Sequence, residues 1–308
     1  MKIDTNTAQN TIDNPILGMR SYNTFSTVNS LSGGKTSSYI AANYPADYEL
    51  FSLIRTSDKN CLFPDKKIRQ IVSDKLNVEF IGTLEDDMII YTMLDLEQFI
   101  GKKIIWLTGT TFDELIYTKS GKVNMPSMRQ RSCTMKLKVD PIAKYWFQNI
   151  SEPIEMRIGF RANELSRCEN MLSKCDIDGF SSQKFVVGQS INGRNKWQNI
   201  AWRKPVFPLV NDGIFKDHID EYWKNKPVRF AYMNNCIGCF HRTPLLLNLM
   251  ANKHPEKFQW FIDVEKASEY KNLTWREDVT YEKIKNFYVQ RRMFEEDFTE
   301  CDSGYCGI

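Results

Sequence analysis

Residues 28–40 read VNSLSGGKTSSYI: an apolar, β-prone run, two glycines, and the hydroxyl-rich start of a helical stretch. A strand that stops in a glycine turn and continues as a helix sets its carboxyl end against a helix N-terminus. The crossover that follows favours a parallel neighbour. Periodicity along the chain agrees. Strands are expected over 25–31, 48–55, 78–82, 103–107 and 154–160, with a helix starting over 36–43 and helices over 65–76 and 135–149. Alternation of this kind predicts an α/β fold with a doubly wound, mainly parallel sheet. The glycine turn would then lie at the carboxyl end of a central strand, where such sheets bind ligands.

The pattern changes beyond residue 212. FKDHIDEYWKNK, TPLLLNLMANK, PEKFQWFIDVEKA and YEKIKNFYVQRRMF carry amphipathic helical spacing. The expected organisation is an irregular arm over 1–24, a nucleotide-binding α/β domain over 25–212 and a helical, cysteine-bearing region over 213–308. Segment 176–200, rich in Ser, Gly, Gln and Asn, reads as a long surface loop or lid.

The chain has 308 residues, 42% hydrophobic and 26% charged, with no apolar run of bilayer-spanning length. Its start, MKIDTNTAQNTIDN, lacks the apolar stretch of a secretion signal, so a cytoplasmic location without membrane partners is expected. A net charge of +3 argues against a generic polyanion binder. It leaves room for a local basic patch among Lys122, Arg129, Arg131, Lys136 and Lys138.

The turn is not a Walker A loop. That pattern needs a glycine five residues before Gly34, where this chain has Asn29. The residues nevertheless suit an anion. Gly33 and Gly34 let backbone amides crowd it, and the first amides of the helix are unpaired at the positive end of the dipole. Ser32, Thr36 and Ser37 add hydroxyl donors, and Lys35 adds charge. The plainer alternative is an ordinary strand-to-helix turn. Arg161, Arg167 and Lys138 are further candidate anion ligands, against the alternative of solvated surface charge.

Eight cysteines without a secretion signal are core residues, metal ligands or reactive thiols rather than a disulfide scaffold. Cys236 and Cys239 form a C-x-x-C, and Cys301 and Cys306 a second close pair near the end of the sequence. The four have the form of a thiolate site for zinc or a [4Fe-4S] cluster, with His241 as a substitute ligand. Four unrelated cysteines are the alternative.

Ser32-Gly33-Gly34-Lys35-Thr36-Ser37 resembles the PP-loop, S-G-G-x-[DT]-S, of the N-type ATP pyrophosphatases (adenine nucleotide alpha hydrolase-like) and of the PAPS reductase family. Arg131-Ser-Cys133-Thr-Met-Lys-Leu-Lys138-Val-Asp-Pro141 is similar to the R-x-C-T-x-x-L-K-x-x-P segment of PAPS reductase-like proteins, and Gly159-Phe-Arg161-Ala-Asn-Glu-Leu-Ser-Arg167 to their G-x-R-x-x-E-S-x-R segment. The resemblance covers about 25–210. It implies phosphate binding by Ser32, Gly33, Gly34, Lys35, Thr36, Ser37, Lys138, Arg161 and Arg167, with Lys35 and Arg161 acting on the reacting phosphate and Cys133 lining the site.

Two activities are implied. In one, ATP with Mg2+ is cleaved between the α and β phosphates to adenylate an acceptor, either a nucleic acid or a nucleotide. In the other, the sulfonucleotide PAPS is reduced. Cys306 or Cys301 is then the nucleophile, since Glu300-Cys301 and Cys306-Gly307-Ile308 partly match the family's E-C-G-L-H segment, and a thiol reductant such as thioredoxin is the partner. A nucleotide-binding regulatory protein without turnover is the third reading. A homo-oligomer is compatible with all three. The chain departs from the family in having Thr36 where many PP-loops carry Asp, and Arg55-Thr-Ser-Asp58 where D-T-G is usual.

Overall fold

The computed structural model describes residues 25–118, 123–127, 130–268 and 273–287. The arm over 1–24, Lys122, Arg129, Cys301 and Cys306 lie outside the described residues. Six strands form one sheet: β1 (Ser26–Leu31), β2 (Tyr48–Ser52), β3 (Ile104–Leu107), β4 (Ile154–Arg157), β5 (Ser181–Gln189) and β6 (Asn195–Val206), in the order β3-β2-β1-β4-β6-β5. Every neighbouring pair is parallel except β5 with β6. The α/β architecture with a mainly parallel sheet therefore agrees with the sequence pattern.

The helices are α1 (Lys35–Asn43), α2 (Lys66–Leu76), α3 (Met88–Ile100), α4 (Phe112–Ile116), α5 (Ser132–Thr134), α6 (Asp140–Asn149), α7 (Leu165–Leu172), α8 (Pro208–Asn211), α9 (Lys216–Trp223), α10 (Pro244–Lys253), α11 (Pro255–Ala267) and α12 (Tyr281–Asn286). Among the described residues none is long and apolar enough to cross a membrane. Alternate strand residues bury on opposite faces. Leu31, Phe51 and Trp106 pack with α1, α2, α3 and α9, whereas Val28, Leu50 and Met156 pack with α6. A third core joins α10, α11 and α12 to Ile54, Phe112, Ile116 and Leu137.

Three stretches differ from the sequence expectation. Residues 78–82 form no strand; Gly82 makes isolated bridges to Thr56 and Leu62 instead. A Cβ on Gly82 would collide with the Cys61 carbonyl, so this backbone contact replaces strand pairing. The helical stretch over 135–149 is broken by a π-helical turn at Met135–Val139. Pro141 has no N–H to bond back four residues, and the freed Leu137 carbonyl accepts the Ser52 hydroxyl at 2.9 Å. The segment over 176–200 is largely a β-hairpin, not a loop. Helix α3, for which the sequence pattern set no expectation, is capped at its carboxyl end by Gly101 at φ 62°.

Asn29, the residue that broke the Walker pattern, is fully buried in β1 and braces the sheet. Its Nδ2 donates to the Tyr44 carbonyl at 2.9 Å and to Glu49 Oε1 at 3.0 Å. Burial pushes the Glu49 carboxyl up to about 7, against the opposing pull of Lys102, Asn29 and Arg157. Between the unfolded and folded values the native state keeps a proton that the unfolded chain has lost. This contribution is therefore full below about pH 4.5 and lost as pH rises through 7. Glu49→Gln is expected to flatten that fall and to raise stability at pH 8 by on the order of 2 kcal/mol relative to wild type. Urea titrations across this range would show it; parallel pH profiles for the two proteins would contradict it.

Candidate nucleotide-phosphate site

The chain leaves β1 for β2 and β3 on one side and returns through β4 on the other. The carboxyl ends of β1 and β4 thus flank the point where strand order reverses, the ligand crevice of open α/β sheets. Gly33 adopts φ +80°, and a side chain there would strike Ile89. Gly34 is the N-cap of α1 with no side-chain cap and no acidic residue in the first turn. Its Cα lies against the Asn234 side chain. The amides that open α1 therefore face an anion-favouring position.

Gly159, just past β4, approaches the same turn. A Cβ there would lie 3.3 Å from Thr36 Cγ2 and 3.6 Å from the Ser37 amide nitrogen. Two of the three motifs thus meet. The third runs along the carboxyl end of β2, tied there by Ser52 to Leu137.

The hydroxyls divide their work. Ser37 Oγ accepts from the Ser32 amide at 3.1 Å and donates to the Gly34 carbonyl at 3.1 Å, so it braces the loop from inside. Ser32 Oγ lies 3.1 Å from Ser37 Oγ, and Ser32 and Thr36 are half-buried. Lys35 turns toward α9, its ammonium 2.5 Å from Asp220, while its carbonyl accepts from Trp223 Nε1 at 3.0 Å. Its charge is thus compensated outside the turn.

Arg161, two residues past Gly159, is buried and shares Glu164 with Arg167. Glu164 Oε2 accepts from the Arg161 amide at 2.8 Å and from Arg161 Nε at 3.1 Å, and Oε1 accepts from Arg167. Burial alone would raise the Glu164 carboxyl. The Arg161 amide and both guanidinium groups outweigh it and hold the carboxyl below its usual range. Arg167 also lies 4.0 Å over the Phe160 ring, which stacks on Phe207. Two guanidiniums sharing one carboxylate retain net positive charge on the segment that Gly159 brings to the start of α1.

Lys138 pairs with Glu85 at 3.0 Å, both nearly inaccessible. Lys136 pairs with Asp140 at the surface instead. Of the described members of the expected basic patch, Lys136 therefore stands at the surface, whereas Arg131 and Lys138 line one pocket.

Sequence reasoning missed Glu85 and Asn234. Neither belongs to a motif; the only signal was the Asn-Asn dipeptide before the C-x-x-C. Asn235, at φ +77°, turns the chain from Gly34 into a pocket lined by Arg131, Cys133, Lys138, Cys236, Cys239 and His241. Gly238 between the paired cysteines packs on the Phe261 ring, and its carbonyl accepts from the buried Tyr281 hydroxyl at 3.0 Å. Burial first, then Arg131 and Arg276, pushes His241 down to about 4, so its imidazole is neutral at pH 7.

Three thiols and a neutral imidazole suit a soft metal chemically. Yet among the described residues no group of three or more His, Cys, Asp or Glu side chains is arranged to hold a metal ion. The expected four-cysteine set is thus described only for Cys236 and Cys239. Cys301 and Cys306 lie outside the described residues. Comparison with known proteins adds no identification, because no protein-family model, curated protein or solved structure matches the chain.

Proposed function

We propose that the chain is a PP-loop enzyme of the PAPS reductase-like kind that binds ATP and transfers its adenylyl group to an acceptor. The observation that carries this reading is the meeting of the Ser32–Ser37 turn with the Gly159–Arg161 segment at the strand-order reversal. An acceptor oxygen attacks the α-phosphorus, the bond from that phosphorus to the α–β bridging oxygen breaks, and pyrophosphate leaves. The α1 amides and Arg161 stabilise the charge that grows on pyrophosphate, which is electrostatic catalysis by donors already in position. Mg2+ would arrive on the triphosphate. Cys236 and Cys239, with Cys133 across the pocket, are the residues from which zinc or an iron–sulfur cluster would draw ligands.

Chromatography of nucleotides after incubating anaerobically purified protein with ATP, Mg2+ and a single-stranded oligonucleotide tests the reaction. AMP, pyrophosphate or adenylated oligonucleotide is the expected product. Adenosine 3′,5′-bisphosphate and sulfite formed from PAPS with thioredoxin, and no turnover of ATP, would replace this reading with sulfonucleotide reduction. Zinc or iron that is stoichiometric in wild type and lost in Cys236→Ser is expected from the same preparation. Metal-free wild-type protein would remove the metal from the account.

A further inference from the structure

The β5–β6 hairpin does more than close the sheet. β6 pairs with β4 only over 203–206, so its first eight residues and the partnering part of β5 run past the amino end of β4. Every residue from 186 to 199 except Ser190 is exposed. The base is firmly anchored: Phe185 stacks on Phe147 at 4.8 Å and contacts Trp146, and Gln183 Nε2 donates to Asp140 Oδ1 at 2.8 Å. The tip is ordered by its own turn, with the Ser190 amide donating to the Arg194 carbonyl at 2.7 Å and Gly193 at φ +70°.

An unpacked two-stranded ribbon is marginal in water and gains little by exposing apolar side chains. This one exposes Trp197 at 62%, with Val186, Val187 and Ile191. Register fixes which residues share a face. Lys184 pairs with Asn199, Val186 with Trp197 and Gln189 with Asn195. These pairs occupy the face opposite Phe185, hence the face turned away from α6. It presents an indole flanked by amides and a lysine. Lys196, paired with Gly188, stands on the Phe185 face, and with Arg194 it adds charge around the tip; no acidic residue occurs between Asp178 and Asp212.

We propose that this ribbon binds single-stranded nucleic acid, stacking an unpaired base on Trp197 while Lys184, Arg194 and Lys196 meet the phosphates. Charge complementarity to a polyanion and a stacking platform are the two requirements of such binding, and both are present on one element. Trp197 lies past the amino end of β4, nine residues before Val206 and roughly 30 Å from it at strand rise, whereas the glycine turn lies at the carboxyl ends. A ligand that engages both must be a polymer, which a strand of nucleic acid is and a mononucleotide is not. The inference deepens the proposed function by naming its acceptor class, and rests on that reading for the chemistry but not for the binding.

Fluorescence anisotropy with labelled single-stranded and duplex oligonucleotides tests it on the full chain, at several salt concentrations. Trp197→Ala is expected to weaken single-strand binding at least about fivefold, the low end for one stacked base. The triple variant Lys184→Glu/Arg194→Glu/Lys196→Glu is expected to weaken it further and to flatten the salt dependence. ATP binding, measured on the same variants, is expected to be unchanged. That control separates failure of the ribbon proposal from failure of the nucleotide reading. Wild-type affinity in either variant overturns the proposal. So does equal binding of duplex with loss only on charge reversal, which would mean attraction to phosphates without stacking.

Discussion

Lys138→Met is expected to destabilise the protein by about 3–5 kcal/mol, the cost typical of stranding one partner of a buried ion pair. Glu85 is 1% exposed, its Oε1 is held by Lys138 at 3.0 Å, and its Oε2 has no hydrogen-bond partner among the described residues. Without the ammonium, the carboxylate must either stay charged in a poor solvent or take up a proton. The damage spreads because Glu85 is a junction. Its carbonyl accepts from Lys257 at 2.7 Å and its backbone bridges Cys236. Glu85→Gln/Lys138→Met is expected to recover much of the loss, since no charge is then stranded. Urea denaturation of the wild type, the single and the double variant reads the effect directly. A loss below about 1 kcal/mol for the single variant would show that the pair is dispensable, the behaviour of exposed pairs, and would return Lys138 to the role of anion ligand.

Gly34→Val is expected to abolish ATP binding, with an affinity loss of about 100-fold or more, while costing the fold less than the same change at Gly33. Gly34 has φ −99°, which a valine tolerates, so no backbone strain arises. Its Cβ would instead collide with Asn234 Nδ2, so the end of that side chain must shift, at the mouth of the turn where a phosphate must approach the α1 amides. Gly33→Val differs in kind. At φ +80° it adds backbone strain to a collision with Ile89, and it is expected to destabilise the protein as well. Thermal melting with and without ATP separates the two. The melting point of wild type should rise with ATP and that of Gly34→Val should not. A ligand-induced rise of equal size in Gly34→Val would contradict the assignment of the turn.

Much of the fold was legible because its signals are local. The apolar runs of β1, β2 and β3 and the caps around α2 follow from neighbouring residues alone; Asp65, for example, accepts from the Lys67 and Ile68 amides. The hairpin was harder to read, since a ribbon exposed on both faces carries no alternating burial pattern and looks like a polar loop. The π-helical turn depended on the Leu137 carbonyl, left free by Pro141, meeting Ser52 from a distant strand, which no window of sequence contains. In the site, the glycines and Arg161 were legible as types needed to approach an anion. The partners that redirect them were not. Asp220, Glu85 and Glu164 decide what Lys35, Lys138 and Arg161 offer a ligand, and the first two come from far along the chain.

The most direct test of the central claim, that the turn after β1 holds the phosphate tail of a nucleotide, is titration calorimetry with ATP, pyrophosphate and AMP in the presence of Mg2+. The account predicts that ATP binds at one site per chain, that pyrophosphate competes for it, and that AMP binds far more weakly. Failure of ATP to bind, or binding that pyrophosphate leaves untouched, would contradict it.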